Sequence, residues 1–308
     1  MRCGNDYAGV LEHYNRPGVA SEIARFARRR WVALHCELKD EKGRHLLVRY
    51  EAGGREGRRR PLRVEEAGDV LALLARFRHL RPRTFYASSA LYARLEEPED
   101  TLYPGSAVAF TPTWDIDNEF AAWEATVEAA RAVLDVLERQ GVVASVFLKW
   151  SGRGMHVHLH HAAISPELFA RHGPLDVAYA IVEYVLLKVE GRLQAIRERY
   201  GAGSLRVENK MDPQRLFTCP LSLHRELHMV AVCLRPDELD AFTPDWARPG
   251  AFRHWPGWDR HEPGEADELA LRALEVVGPY PRPYRPRRRK TKRLEDMIRK
   301  YLDMPSER

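Results

Sequence analysis

Trp114-Asp115-Ile116-Asp117 places two acids one apolar residue apart, downstream of the apolar run Ser106-Ala107-Val108-Ala109-Phe110. Alternate residues of an extended strand share a face, so Asp115 and Asp117 are expected to point the same way. Like charges so placed repel and resist desolvation, and a divalent cation between them reverses the sign of that interaction. Hard ions such as Mg²⁺ or Mn²⁺ suit this oxygen-rich setting. Two such ions can activate an attacking hydroxyl and stabilise a leaving phosphate. Read without an ion, the same residues are a strand end entering a solvated turn, with Asp117-Asn118 capping the next helix.

A second group is Ser151-Gly152-Arg153-Gly154 followed by the alternating run Met155 to His160. Glycines at 152 and 154 allow backbone N–H groups to approach a phosphate, Arg153 offers a fork of donors, and Ser151 adds a hydroxyl. His156, nearest the turn, can donate to a phosphate oxygen or carry a proton. The competing readings are a hairpin turn with surface histidines, or a metal set of His156, His158 and His160; the last two are expected to be structural.

The third group runs from Arg206 to His224. An acid follows an apolar residue at a strand end, as Glu208 or as Asp212, and either could complete a carboxylate cage with the Asp pair. Arg215, Ser222 and His224 come after it.

Elements to position these groups can be read from periodicity. Val19, Ile23, Phe26 and Ala27 predict a helix over 19–30 with Arg25, Arg28, Arg29 and Arg30 on its basic side. Strands are expected at 31–36 and 45–50, a helix at 65–80, and a helix at 120–140 that buries Phe120 and Trp123 and stops at Gly141. The apolar stretch 142–150 reads as a central strand, and 155–160 as its hairpin partner. Helices at 165–171, with Pro166 in the first turn, and at 176–199 precede short strands at 205–208, 215–218 and 228–234; a further helix spans 267–277.

The chain has 308 residues, 44% of them hydrophobic and 30% charged, enough for one large domain or two smaller ones. No apolar run approaches the roughly 18 residues that span a bilayer, and residues 1–6 lack a signal-peptide core, so a cytoplasmic, nucleoid-associated protein with no membrane partner is expected. Cys3, Cys36, Cys219 and Cys233 form no Cys-x-x-Cys pair, which argues against a zinc ribbon or a disulfide framework. The net charge is +5, yet residues 282–293 alone carry +8 and the rest sum to −3. Such density suits a phosphate backbone, or a solvated linker. The absence of a Gly-x-x-x-x-Gly-Lys-Ser/Thr loop argues against an ATPase.

Taken in order, Trp-Asp-Ile-Asp at 114–117, Trp-Ser-Gly-Arg-Gly-Met-His-Val-His at 150–158 and Gln-Arg-Leu-Phe-Thr-Cys-Pro-Leu-Ser-Leu-His at 214–224 resemble the archaeo-eukaryotic primase superfamily, in particular the small catalytic subunit of archaeal and eukaryotic DNA primases. The resemblance spans most of residues 10–240 and includes Phe85 to Tyr92. It implies an α/β (α+β) fold with a mixed-sheet catalytic core over 1–281, a basic linker at 282–293 and a C-terminal amphipathic helix at 294–308. It implies a DNA-dependent primase or polymerase that makes short primers for replication by two-metal catalysis with Mg²⁺ or Mn²⁺. Asp115, Asp117 and Glu208 would be catalytic and hold the ions, with Asp212 the alternative third acid. Ser151, Gly152, Arg153, Gly154, His156, Arg215, Ser222 and His224 would bind the nucleotide. Expected partners are a single-stranded DNA template, an NTP or dNTP, and a primase large subunit. Three departures stand out. The glycine turn is one residue short; Thr218 replaces a basic residue, a contact Lys149 or Arg215 could supply; and no Cys or His lies between 118 and 149, so no structural zinc is expected. A stand-alone primase-polymerase or end-joining-type polymerase, a silent scaffold of a primase complex, and a metal-dependent nuclease remain the other readings.

Overall fold

The computed structural model describes residues 7–53 and 59–281. The basic linker, the C-terminal helix and Cys3 lie outside the described residues. In chain order the elements begin α1 (Tyr7–Tyr14), α2 (Val19–Ala27), β1 (Val32–Lys39), β2 (His45–Val48), β3 (Tyr50–Ala52), β4 (Arg59–Pro61) and α3 (Ala67–Arg76). They continue with β5 (Pro82–Ser88), β6 (Ala90–Tyr92), β7 (Ala107–Phe110), β8 (Thr113–Asp117), α4 (Trp123–Arg139), β9 (Val146–Trp150), β10 (Met155–Leu159), α5 (Pro166–His172) and α6 (Pro174–Tyr200). The remainder is β11 (Arg206–Asn209), β12 (Leu216–Thr218), β13 (Val232–Leu234) and α7 (Asp267–Val277).

Two main sheets result, β12-β5-β1-β2 and β11-β8-β10-β9-β13, with small hairpin-like pairs β3-β4 and β6-β7. The fold is mixed α/β of the α+β kind, and every pairing among the described strands is antiparallel. α4 and α6 lie across β8, β10 and β11. Alternation makes that arrangement favourable: Trp114 and Ile116 on β8 and Met155 and Val157 on β10 are fully buried, and the Trp114 indole donates to the Val182 carbonyl of α6. The intervening residues face the first sheet, where Phe217 of β12 meets the rings of His156 and His158. Side chains therefore cover most of β8 and β10 on both faces; the apolar row is fully buried, and the polar row opens to solvent at Asp117.

Three expectations change. Arg30 is not part of a solvated basic stripe. α2 ends at Ala27, and Arg29 takes a left-handed φ of 61°. Arg30 then turns inward to donate to the carbonyls of Ser88 and Ser89 and to the Thr111 hydroxyl. Its three acceptors tie the end of β5 to the approach to β8, which sets one sheet against the other. Phe120 lies in a short 3₁₀ turn before α4 and is 40% exposed. Residues 142–145 precede β9 rather than extend it, because the Glu265 carboxylate accepts from the backbone N–H groups of Val143, Ala144 and Ser145 at 2.7, 2.7 and 2.9 Å; β9 itself is interior, between β10 and β13, and buried throughout. No helix among the described residues is long and apolar enough to cross a membrane. Cys36, Cys219 and Cys233 are buried free thiols.

Candidate active site

The ladders of the second sheet bring distant residues into one transverse row. Glu208 of β11 pairs with Asp115 of β8, Asp115 with His156 of β10, His156 with Lys149 of β9, and Lys149 with Cys233 of β13. Directly opposite residues share a face, so one polar row crosses all five strands. Asp117, two residues beyond Asp115, lies on the same side.

The three carboxylates meet on a single cation supplied by the chain itself. Lys210 Nζ lies 2.9 Å from Asp115, 2.6 Å from Asp117 and 3.2 Å from Glu208. Burial alone would raise the Asp115 carboxyl, but His156 and Lys210 beside it prevail and hold it well below the usual carboxylate range. Burial likewise works against the Lys210 ammonium, and Asp115 and Asp117 reverse this and push its pKa up. The donor set is three anionic oxygens from adjacent strands around one positive centre, which is the chemistry a hard divalent ion requires. With the lysine in place, no three acidic, His or Cys side chains among the described residues are gathered as a metal-ligand cluster.

A cleft of about 480 Å³ opens beside this centre, lined by Asp115, Asp117, Ser151, Arg153, His156 and His224 and, from the first sheet, by Tyr86 and Phe217. The glycine turn is shaped by packing. Gly152 has φ 125°, and a Cβ there would come within 2.6 Å of the His224 ring. At Gly154 a Cβ would fall 2.1 Å from the Ile116 carbonyl oxygen, so only glycine lets β10 leave the turn alongside β8. Ser151 closes the turn, its N–H and hydroxyl both directed to the Gly154 carbonyl. Arg153 is held by Glu226 at 2.9 Å across the cleft mouth.

Both cleft histidines are poised as neutral groups. His224 Nδ1 accepts from the N–H groups of Glu226 and Leu227, which leaves the proton on Nε2. Burial, reinforced by Arg153 and Arg225, lowers its pKa to about 4. His156 Nε2 faces Asp115 at 3.2 Å, while its buried Nδ1 has no hydrogen-bond partner among the described residues. Burial also lowers the His156 pKa, against the pull of Asp115. His158 is neither a surface histidine nor part of a metal set: Nδ1 engages the Thr113 hydroxyl and the ring stacks on Phe147. His160 accepts from Ala162 N–H and stacks on His261.

Several residues expected here are elsewhere. Ser222 is fully buried; its hydroxyl accepts from Phe85 N–H and bonds to the Tyr14 hydroxyl, so it braces the first sheet and does not line the cleft. Arg215 donates to the Lys210 carbonyl and pairs with Asp212 at 3.1 Å. Asp212 is thereby committed to its own turn, where it also accepts from Gln214 N–H, and Glu208 is the acid that stands in the row. Lys149 does not reach the cleft either: it is fully buried behind His156, its ammonium over the Phe26 ring. In its stead Lys210, Arg225, Tyr86 and Asn118 line the cleft, none of them given a role in the site by the sequence. The alternation that paired Asp115 with Asp117 applies equally to Glu208 and Lys210, and would have found the lysine.

No family model and no curated protein matches the chain. Among solved structures it is similar to the polymerase domain from Mycobacterium tuberculosis ligase D in complex with DNA, with a TM-score of 0.47 and 16% identity over 89% of this chain and 90% of that one. It is also similar to the AEP domain of the cyanophage S-2L primase-polymerase, with a TM-score of 0.31 and 14% identity over 82% of this chain and 95% of that one.

Proposed function

We propose that this chain is a metal-dependent nucleotidyltransferase that copies a single-stranded DNA template into short strands, as a primase or primase-polymerase. The observation that carries the reading is the convergence of Asp115, Asp117 and Glu208 oxygens within 3.2 Å of one positive centre, at the edge of a cleft equipped with Arg153 and His224. The ordered sequence signatures at 114–117, 150–158 and 214–224 support it independently.

In the reaction a strand's 3′-oxygen attacks the α-phosphorus of a nucleoside triphosphate, the bond to the β-phosphate breaks, and pyrophosphate leaves. Asp115, Asp117 and Glu208 would hold Mg²⁺ or Mn²⁺, which when bound lowers the pKa of the attacking hydroxyl and offsets charge on the leaving group. Arg153 and Arg225 line the side of the cleft where a triphosphate would lie, and the neutral His224 presents Nε2–H as a hydrogen-bond donor. His156 orients the Asp115 carboxylate through Nε2. Tyr86 and Phe217 supply flat surfaces from the opposite sheet, suited to a sugar or base. A nuclease using the same acids has no need of this donor shell.

The test is nucleotide incorporation by the full chain on unprimed and primed single-stranded templates, with Mg²⁺ and with Mn²⁺, using NTPs and dNTPs. Strand synthesis by the unaltered chain and its loss by at least about a hundredfold in Asp115→Asn and Asp117→Asn, with unchanged circular dichroism, is the expected result. Full activity in the double variant would remove the reading.

A further inference from the structure

Lys210 occupies the point where the proposed ions belong, and this has a consequence beyond the chemistry. Its nitrogen lies 2.6–3.2 Å from oxygens of three different acids, and an ammonium and a metal ion cannot share that space. The backbone beneath it is fixed: β11 ends at Asn209, and Arg215 Nε donates to the Lys210 carbonyl at 2.6 Å while Asp212 holds the same guanidinium. The ammonium sits at the end of a four-carbon stem with rotatable bonds, lines the cleft, and belongs to a side chain that is 23% exposed.

Resting on the metal-dependent reading, we propose that Lys210 is a resident counter-cation which the incoming divalent ion must displace, and that the displaced ammonium turns to the phosphates of the nucleotide carrying that ion. The empty protein thus keeps its three acids assembled, their mutual repulsion offset by one shared positive charge. Free metal competes against a tethered positive charge and binds weakly. A metal–triphosphate complex offers the ammonium a new anionic partner as it leaves the acids, so ion and nucleotide load together. The ligand class recognised by the resting site is the metal-bound nucleoside triphosphate rather than the bare ion.

Mn²⁺ binding to the full chain, followed by electron paramagnetic resonance and by calorimetry without turnover, tests this. One unit charge about 3 Å from each acid is worth roughly tenfold in affinity even at the dielectric of water, so Lys210→Met should bind Mn²⁺ at least about tenfold more tightly than the unaltered chain. Lys210→Arg, which keeps the charge, should not. Addition of α,β-methylene-ATP should tighten Mn²⁺ binding in the unaltered chain, and by clearly less in Lys210→Met. Thermal melting covers the case of a poorly folded variant: Lys210→Met, or Lys210→Gln, should melt lower than the unaltered chain without metal and recover with Mn²⁺. If the unaltered chain binds Mn²⁺ and Lys210→Met and Lys210→Gln bind it no more tightly, displacement is wrong and the proposed activity stands. If no form binds Mn²⁺ with or without nucleotide, the metal-dependent reading fails and takes this inference with it.

Discussion

Lys149 gives the sharpest quantitative test of the packing behind the site. Its ammonium is fully buried between the sheets, has no hydrogen-bond partner among the described residues, and rests 4.6 Å from the centre of the Phe26 ring. Burial drives its pKa from the ordinary 10.5 down to about 8, with Arg30 adding to the fall and Cys233, Cys219 and Asp115 opposing it. At about 1.4 kcal/mol per pH unit, the charged form costs the folded state roughly 3 kcal/mol. The sign follows from proton counts. Below pH 8 both folded and unfolded chains carry the charge and the whole cost is felt; between 8 and 10.5 the unfolded chain binds more protons, so stability rises with pH. Lys149→Met keeps an unbranched side chain, one heavy atom shorter, and removes the charge; it is expected to stabilise the fold by up to about 3 kcal/mol at pH 7. Urea unfolding at intervals from pH 7 to 10.5 measures this, and the gap between variant and parent should close toward the top of that range. The comparison has to be made as a difference. Burial also raises the thiols of Cys36 and Cys219 to about 12, which lowers stability in both proteins once unfolded thiols ionise above pH 9. A Lys149→Met chain no more stable than its parent at pH 7, or a gap that does not narrow with pH, would refute the reasoning.

Further outcomes follow from single contacts. Ser222→Ala should cost about 1–2 kcal/mol of stability by orphaning the Phe85 N–H, and leave nucleotide affinity unchanged; calorimetric titration with nucleotide distinguishes this from a phosphate-binding role. Gly154→Ala should destabilise the fold by roughly 3 kcal/mol or more, because its methyl group would collide with the Ile116 carbonyl and part β8 from β10, seen as a lower denaturation midpoint. Glu265→Gln should cost about 1–3 kcal/mol at pH 7, since an anionic acceptor of three backbone N–H groups becomes neutral. Those contacts hold the Glu265 carboxyl below its ordinary value of 4.5 despite burial. The stability it contributes is therefore complete above that pH and lost as pH falls through the lower folded value, and acid titration of the variant should lack that loss.

What the sequence revealed was whatever local periodicity encodes. Strict alternation put Asp115 and Asp117 on one face and His156 opposite the apolar Met155 and Val157, while the third acid stayed open between Glu208 and Asp212 until the β11–β8 pairing set Glu208 beside Asp115. The helices at α4, α5, α6 and α7 were legible from their apolar spacing and from Pro166 and Gly141. Long-range pairing was not. Whether the Ser222 hydroxyl faces a ligand or the Phe85 N–H depends on where β5 lies, more than a hundred residues earlier. Lys149 is a candidate for the basic contact that Thr218 lacks, yet its ladder position behind His156 buries it. Arg225 and Tyr86 reach the cleft from a loop and from the other sheet, and the resemblance that covers Phe85 to Tyr92 gives Tyr86 no role in the site. Arg30 was assigned to solvent by its helical phase, and the end of α2 three residues earlier cancels that phase.

The single polar row across the second sheet makes the site all-or-none during folding. A one-residue slip of β10 would set Met155 or Val157 against Asp115, and the same slip of β11 would set Val207 or Asn209 there. Nascent chains whose ladders have not locked would hold the acids apart and have nothing to grip a phosphate, so competence should emerge only with the last strand to pair. Since β11 brings the third acid at residues 206–209 and β13 closes the row at 232–234, that event waits for the helical span α6 and the segment after it to be made and folded back.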